Sequence, residues 1–477
     1  MRKSDSKIHG DFWYNTGMKI HAISLLAAIA SLAAIAEVKI VEPAQDAVVP
    51  WLTDAPKAYI AMPTAERREK FANQLFRSKE MGLPAEKVPG EAKKREAYWP
   101  KTVRLAWEGT GDAECQVRVK DAKKGVVVID EKVKGGELFI DNLEIAAEYE
   151  WGVKCGDETA RGKFKTEDIA PRLIRYPGGP NVRDFGGRIG LGGKRVRQGM
   201  VFRSAGLNGN ARDVYYTIEE LRELGKTEEL KKAADEAQKR LDQLLAWQAD
   251  PKTMDLDDKE YLDWAKRHAN EPPAKFLSSR VKRARDTVKA GGDPKVVKNR
   301  EPGKSRVEGE RGEYIRSRFG IKTDIDLRSD KECFGMTGSP LGPTVKWEHI
   351  SSSAYGGMVY DGGKKPFAKV FRVFLDEKNY PIDFHCIAGQ DRTGAVAYIL
   401  HGLLGVDEDQ LALDWEVTGF WNRGTDFSHA KRYDKLVEGF KSKYPAPTVR
   451  ERLEKYVLDL GFTEEDIAKF RKIMLED

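Results

Sequence analysis

Cysteine is scarce in this chain, at 4 of 477 residues. That excludes a small disulfide-stapled scaffold and a zinc scaffold built on many thiolates. Charge of one sign is not in large excess either. Lys and Arg number 82 against 76 Asp and Glu, a net of +6, too little over this length to argue for a nucleic-acid partner. Long apolar runs are missing except for one near the start, and 33% of residues are charged. A multispan membrane protein, a collagen and a fully disordered chain are all excluded. There is no internal repeat and no low-complexity tract. The length exceeds one ordinary core and predicts two or three domains.

The one apolar run is AISLLAAIASLAAIA, residues 22–36, preceded by Lys19 and His21 and ending in the small-x-small triplet Ala34-Ile35-Ala36. It is short for a bilayer span and has the parts of a bacterial signal peptide; the bland alternative is a buried N-terminal helix. Met18 is then the expected true start, and the mature chain begins near Glu37 and works in the periplasm or outside the cell.

From about Val38 to Thr166 the chain reads as β. TVRLAWEG (102–109), CQVRVKD (115–121), GVVVIDEKV (125–133), ELFID (137–141) and YEWGVKC (149–155) alternate apolar and polar residues between turn-rich segments, the grammar of a β-sandwich. With GKFKTED (162–168) as a last strand, residues 37–168 resemble a fibronectin type III or immunoglobulin-like module. The charged stretch 64–95 interrupts the pattern and reads as a helical insertion. Cys115 opens one strand and Cys155 closes another. In this topology those strands are antiparallel neighbours, so the sulfurs either bridge or remain two buried thiols.

A second, α/β domain spans residues 171–477. KTDIDLRS (322–329) and PIDFHC (381–386) are apolar strands that end in polar loops, the second running into a helix. Residues of about 208–312 form a charged insertion. Leu221, Leu224, Leu230, Leu241, Leu244 and Leu245 recur there at helical intervals. Two or three helices are expected, then a mobile basic tail. Lys275 to Arg306 holds 11 Lys/Arg against 3 Asp/Glu, so this segment alone supplies the chain's positive excess. It is either a solvated surface or a rim for a polyanionic substrate or anionic surface.

Residues 385–394 carry the chemistry: His385-Cys386-Ile387-Ala388-Gly389-Gln390-Asp391-Arg392-Thr393-Gly394. Cys and Arg are separated by five residues between a strand and a helix. Such a loop aims successive N–H groups, including those of Ile387, Ala388, Gly389 and Gln390, at one anion, beside a helix N-terminus. The same field makes Cys386 a thiolate, and Arg392 offers a planar fork to two phosphate oxygens. Thr393 can donate its hydroxyl to the sulfur, and His385 orients the loop. Gly389 permits the turn and Gly394 lets the helix pack closely.

The run resembles the signature of the protein tyrosine phosphatases, in the HCxAGxDRTG form of bacterial enzymes related to dual-specificity and lipid phosphatases. Asn181-Val182-Arg183-Asp184-Phe185-Gly186-Gly187 is similar to that family's NxRDxGG opening, and Phe202-Arg203-Ser204-Ala205 to its next strand. Ile325-Asp326-Leu327-Arg328-Ser329 with Glu332 is similar to its DLRxxxE segment. Asp414-Trp415-Glu416-Val417-Thr418 stands where the family has DYxxS/T. The resemblance covers about 171–207 and 313–477 and leaves out the sandwich and the insertion. It implies a cysteine phosphatase with a phosphocysteine intermediate, needing no cofactor and no metal.

For Arg183, Asp184 and Arg203 a structural ion-pair network is expected rather than substrate contact. The general acid has no WPD tripeptide to mark it. Asp391, inside the loop, comes first. Asp361, in the glycine-rich AYGGMVYDGG (354–363), comes second, and Asp326 third, as a strand-end residue. Cys333 is an ordinary buried thiol or a resolving partner for Cys386. Gln390 stands where lipid-active relatives often carry Lys. The expected substrate is therefore a phosphotyrosine peptide or small phosphomonoester. Inositol phosphates or phosphoinositides come next, and a phosphate-holding docking module with little activity is the alternative of another class.

Overall fold

The protein is described by a computed structural model covering residues 37–71, 100–265, 268, 271–293, 297–420 and 428–477. The signal-peptide reading of residues 1–36 lies outside the described residues, as does most of the charged stretch 64–95.

Eight strands form the N-terminal module: β1 (Lys39–Glu42), β2 (Ala47–Val49), β3 (Val103–Glu108), β4 (Glu114–Asp121), β5 (Val127–Lys134), β6 (Glu137–Ile140), β7 (Glu148–Cys155) and β8 (Glu158–Thr166). They make two sheets, β1-β3-β6 and β2-β8-β7-β4-β5. Period-2 alternation sends Leu105 and Trp107 from one sheet, and Val117, Val119, Trp151, Val153 and Phe164 from the other, into one buried cluster. β4 and β7 run antiparallel with Gln116 opposite Lys154. Cys115 thus faces Cys155, and the two form a disulfide with Cα atoms 4.4 Å apart. Between β2 and β3 lie two short helices, α1 (Asp54–Ala61) and α2 (Thr64–Phe71).

A separate, mostly parallel sheet has the order β14-β13-β15-β10-β9, with β9 (Arg183–Asp184), β10 (Val201–Ala205), β13 (Thr323–Asp326), β14 (Lys346–His349) and β15 (Ile382–Cys386). All pairings are parallel except β9 with β10. β15, which ends on Cys386, is the central strand. A parallel interior strand is buried on both faces, and all five of its residues are buried. Ile382, Phe384 and Cys386 face a large apolar core, while Asp383 and His385 face the other way.

The segment between β10 and β13 departs from expectation. β11 (Arg212–Tyr215) pairs antiparallel with β12 (Val297–Glu301). The ribbon carries α3 (Ile218–Glu223), α4 (Thr227–Ala249), α5 (Lys259–Ala265) and α6 (Pro273–Ala290); α7 (Glu310–Phe319) then leads into β13. The basic stretch read as a mobile tail is therefore mostly α6 and β12. Its apolar residues Phe276, Leu277, Val281 and Ala284 keep helical spacing and are buried with Leu241, Leu244, Trp247 and Trp264. The density of Lys and Arg on the solvent side hid that stripe. Leu224, expected in the apolar face, is exposed just past the end of α3.

The remaining helices are α8 (Asp361–Phe374), α9 (Asp391–Leu403), α10 (Glu408–Glu416), α11 (Ser428–Lys443), α12 (Val449–Asp459) and α13 (Glu464–Met474). Capping boxes start α12 (Thr448 with Glu451) and α13 (Thr463 with Asp466). Four residues, 387–390, separate the end of β15 from the start of α9, so the signature is a strand–loop–helix turn. Among the described residues no helix is long and apolar enough to cross a membrane.

Candidate active site

Two glycines fix the loop. Gly389 has φ +64°, and a Cβ there would lie 2.3 Å from the Ser204 carbonyl oxygen. Gly394, in the first turn of α9, lets the Trp415 indole press so close that a Cβ would meet it at 2.6 Å. These are the tight turn and the close packing read from the sequence. Asn181 Nδ2 donates to the Ala388 carbonyl at 2.8 Å, and the Gly206 N–H donates to the Ile387 carbonyl at 3.0 Å. Two loop carbonyls are thereby held by donors from outside the loop, which keeps the turn curled. Ile387 is exposed at the mouth, while Gln390 is buried.

Cys386 is 2% exposed. Burial works against its thiolate, yet its pKa falls below the ordinary thiol value. The Thr393 hydroxyl, the Thr393 N–H, the Arg392 charge and the Gly389 N–H together outweigh the burial. Arg392 points its fork at Glu332, with Nη1–Oε2 at 2.7 Å and Nη2–Oε1 at 3.1 Å. Glu332 also accepts from the Ser329 N–H and hydroxyl at 2.7 and 2.8 Å. Burial raises the Glu332 pKa, but these donors and the Arg392 charge bring it down to about 2. Glu332, ionised near neutral pH, therefore sets the direction of the guanidinium. The sequence displayed Glu332 in its DLRxxxE segment, but spacing alone did not reveal this role.

Arg183, Asp184 and Arg203 lie in buried ion-pair networks. Asp414 receives Arg183 Nε at 3.1 Å, Arg188 Nη2 at 2.8 Å and Arg203 Nη1. Arg203 Nη2 continues to the Gly389 carbonyl at 2.7 Å, so this network reaches the loop directly. Burial, then the neighbouring Arg183, lowers the Arg203 pKa to about 9. Asp184 accepts from Arg172 and from the Gly186 and Gly199 N–H groups, all within 2.7 Å.

Across the sheet, His385 Nε2 lies 3.0 Å from Asp324 and its Nδ1 3.9 Å from Asp326. Burial opposes the imidazolium, but Asp326 and Asp324 raise its pKa to about 9. Asp326 is clasped by Arg328 and also accepts from the Cys333 thiol at 3.3 Å. Burial and Asp326 push Cys333 up to about 12, which agrees with the ordinary buried thiol of the two readings. Asp326, the third acid candidate, is fully committed to these partners.

The two other acid candidates differ sharply. Asp391 opens α9, 3.7 Å from Arg432. The Tyr355 hydroxyl bonds to it, and the Tyr355 pKa is raised first by burial and then by that bond. Arg432 also lies over the Tyr355 ring at 5.8 Å. Asp361 opens α8 with its side chain 81% exposed, paired to Lys365 one turn on. Neither Tyr355 nor Arg432 was singled out from the sequence, because only folding brings residues 355 and 432 to position 391. Among the described residues no group of three or more His, Cys, Asp or Glu is arranged to hold a metal ion.

A thiol activated by donors at the start of a helix, next to a carboxylate-anchored arginine, defines a cysteine-dependent phosphatase. The sequence model of the tyrosine phosphatase family matches residues 174–289 and 300–476, well over half of the chain, and the chain belongs to that family. The match takes in most of residues 208–312, which the resemblance had left outside. No curated protein matches the chain in sequence. Among solved structures, it is similar to the core catalytic domain of the PP-IP phosphatase SIW14 from S. cerevisiae in complex with citrate. Identity is 15%, with 28% of this chain and 82% of that chain covered and a TM-score of 0.20.

Proposed function

We propose that the protein is a secreted or periplasmic phosphatase that hydrolyses phosphomonoesters, with phosphotyrosine as substrate, through a phosphocysteine at Cys386. The observation that carries this is the lowered pKa of a buried thiol beside the Glu332-anchored Arg392. In the first step the Cys386 thiolate attacks phosphorus and the phosphorus–oxygen ester bond breaks. The Arg392 N–H groups not taken by Glu332 and the loop N–H groups hold the equatorial oxygens. Asp391, as the carboxylic acid, gives its proton to the leaving phenolate oxygen. In the second step water attacks the phosphocysteine, its proton goes to the Asp391 carboxylate, and the sulfur leaves as thiolate, eased by the Thr393 hydroxyl. The place of Asp391 at the signature loop, packed against Tyr355 and Arg432, favours it over the exposed Asp361 for this role. His385 supports the loop.

Export is inferred from residues 22–36. The N-terminal module, with three strands in one sheet and five in the other around one core, is inferred to be an immunoglobulin- or fibronectin III-like sandwich. A second substrate class, inositol phosphates or phosphoinositides, has one specific support. Arg306 Nη1 donates at 3.1 Å to the carbonyl of Gly206, whose N–H bonds the signature loop. The basic end of the β11–β12 segment thus reaches the site.

The test is phosphate release from aryl phosphate, phosphotyrosine peptides and inositol polyphosphates by the unaltered protein, Cys386→Ser and Asp391→Asn. Cys386→Ser should be inactive. Asp391→Asn should lose roughly 10²-fold on phenyl phosphate and much less on a better leaving group. Equal rates for Cys386→Ser and its parent would leave only a phosphate-holding module, and faster turnover of inositol polyphosphates would reverse the substrate order.

A further inference from the structure

The family match begins at residue 174, yet one support of the site comes from far upstream of it. Three consecutive residues of α10 face three ways. Asp414 gathers the arginines beneath the loop. Trp415 packs against Gly394 and lies 6.2 Å, ring to ring, from Tyr355. Glu416 turns toward the N-terminal module and accepts from Arg67 Nε at 2.6 Å and from the Tyr59 hydroxyl at 3.0 Å.

Arg67, on α2, is 1% exposed. Its other nitrogens bond the Met62 carbonyl, the Thr64 hydroxyl at 2.8 Å and the Asp409 carbonyl at 3.4 Å. One guanidinium therefore holds α10 at both ends. The Thr64 N–H adds a bond to the Asp409 carboxylate at 3.2 Å. Leu52 and Tyr59 share a buried apolar cluster with Leu413 and Val417 of the α10 region. Arg68, next on α2, pairs with Asp434 at 2.8 Å on α11, the helix that brings Arg432 to Asp391.

We propose that Arg67 is a positioning residue of the phosphatase site, and that the α1–α2 segment completes the catalytic domain by clamping α10. The route is short. Arg67 fixes Glu416, and α10 thereby sets Asp414 and Trp415. Asp414 fixes Arg203, and Arg203 holds the carbonyl of Gly389, whose N–H faces the Cys386 sulfur. A buried pair broken on one side leaves an uncompensated charge, so α10 should shift when Arg67 is lost. A small displacement of reacting groups is enough to cost large factors in rate.

The inference rests on Cys386 being the nucleophile. Its test is made in the full chain with Arg67→Met, Arg67→Lys and Glu416→Gln, beside Cys386→Ser and the surface control Arg104→Ala. Two quantities are read: aryl phosphatase kinetics, and the pH midpoint of iodoacetamide alkylation mapped to Cys386. Alkylation is read below each variant's unfolding transition, where unfolded chains with their ordinary thiol pKa do not contribute, so a purely stabilising role would not move the midpoint. Arg67→Met should lower kcat roughly tenfold with KM within about twofold. Its alkylation midpoint should rise by about one pH unit. Arg67→Lys should recover part of both effects, and Glu416→Gln should fall between, serving as the readout if Arg67→Met does not fold. Midpoints that coincide with the parent's in every folded variant, with activity falling only as the folded fraction falls, would overturn the proposal. If Cys386→Ser keeps full turnover, it is the nucleophile assignment that fails instead.

Discussion

Two buried charged networks flank the sheet that presents Cys386, and they have opposite character. On the face that carries the sulfur, three guanidiniums surround the single carboxylate of Asp414. On the opposite face, Asp324, Asp326 and Asp383 surround His385, with Arg328 clasping Asp326. Alternation along β10, β13 and β15 accounts for the separation, since neighbouring residues on one strand point to opposite faces. The positive network touches the loop through the Gly389 carbonyl, and its excess charge favours an anion on that side. The negative network touches it through His385, the residue before Cys386, and keeps that imidazole protonated. A thiol of lowered pKa and an imidazolium on adjacent residues thus each find complementary surroundings.

The largest expected effect comes from breaking the positive side. Asp414→Asn leaves three buried guanidiniums without their carboxylate and should cost about 3–5 kcal/mol, read from the midpoint shift in urea. A loss under about 1 kcal/mol would mean that the arginines are compensated elsewhere. Next is Glu332→Gln, which removes the charge that directs Arg392. It should lower kcat/KM roughly tenfold toward aryl phosphate with little loss of fold. Unchanged kinetics would show that the fork finds phosphate unaided.

The negative side sharpens the comparison through pH. His385 has a pKa raised from 6.5 to about 9. Its contribution to stability is therefore complete below pH 6.5 and is lost as pH rises through 9. Asp383 has a pKa raised from 3.8 to about 7, first by burial. The folded state thus holds the Asp383 proton longer than the unfolded chain does, and stability falls between those values as that carboxyl is forced to ionise. Denaturation across pH should show this decline, with Asp383→Asn flattening its lower part and His385→Asn its upper part. The parent remaining flat from pH 5 to 9 would contradict both assignments. The smallest effect belongs to Asp361→Asn, which removes an exposed pair with Lys365 and should leave turnover within about twofold. A loss rivalling that of Asp391→Asn would move the acid to the α8 end.

Much of this was legible because the site is local in sequence. Ten consecutive residues contain Cys386, Arg392 and both glycines, and strand–loop–helix grammar places them. The β module was legible because alternation survives at Tyr149, Trp151, Val153 and Cys155. What escaped were contacts made only by folding, namely Glu332 on Arg392, Tyr355 and Arg432 on Asp391, and Arg67 on Glu416. Each joins residues tens to hundreds of positions apart, and no periodicity marks such a pair. The basic stretch misled for another reason. Its apolar stripe is narrow, and in a run of 11 Lys/Arg the charge dominated the reading of α6.

The pairing of β4 with β7 has a consequence for sulfur chemistry. These strands are antiparallel neighbours, and Cys115 and Cys155 meet across 40 residues. Cys333 and Cys386 take their places only when a parallel sheet closes over much longer spans, the slower kind of contact to form. A chain maturing under an oxidant would therefore meet its correct partner thiol early. Cys333 and Cys386, by contrast, are buried and free of any disulfide in the folded chain.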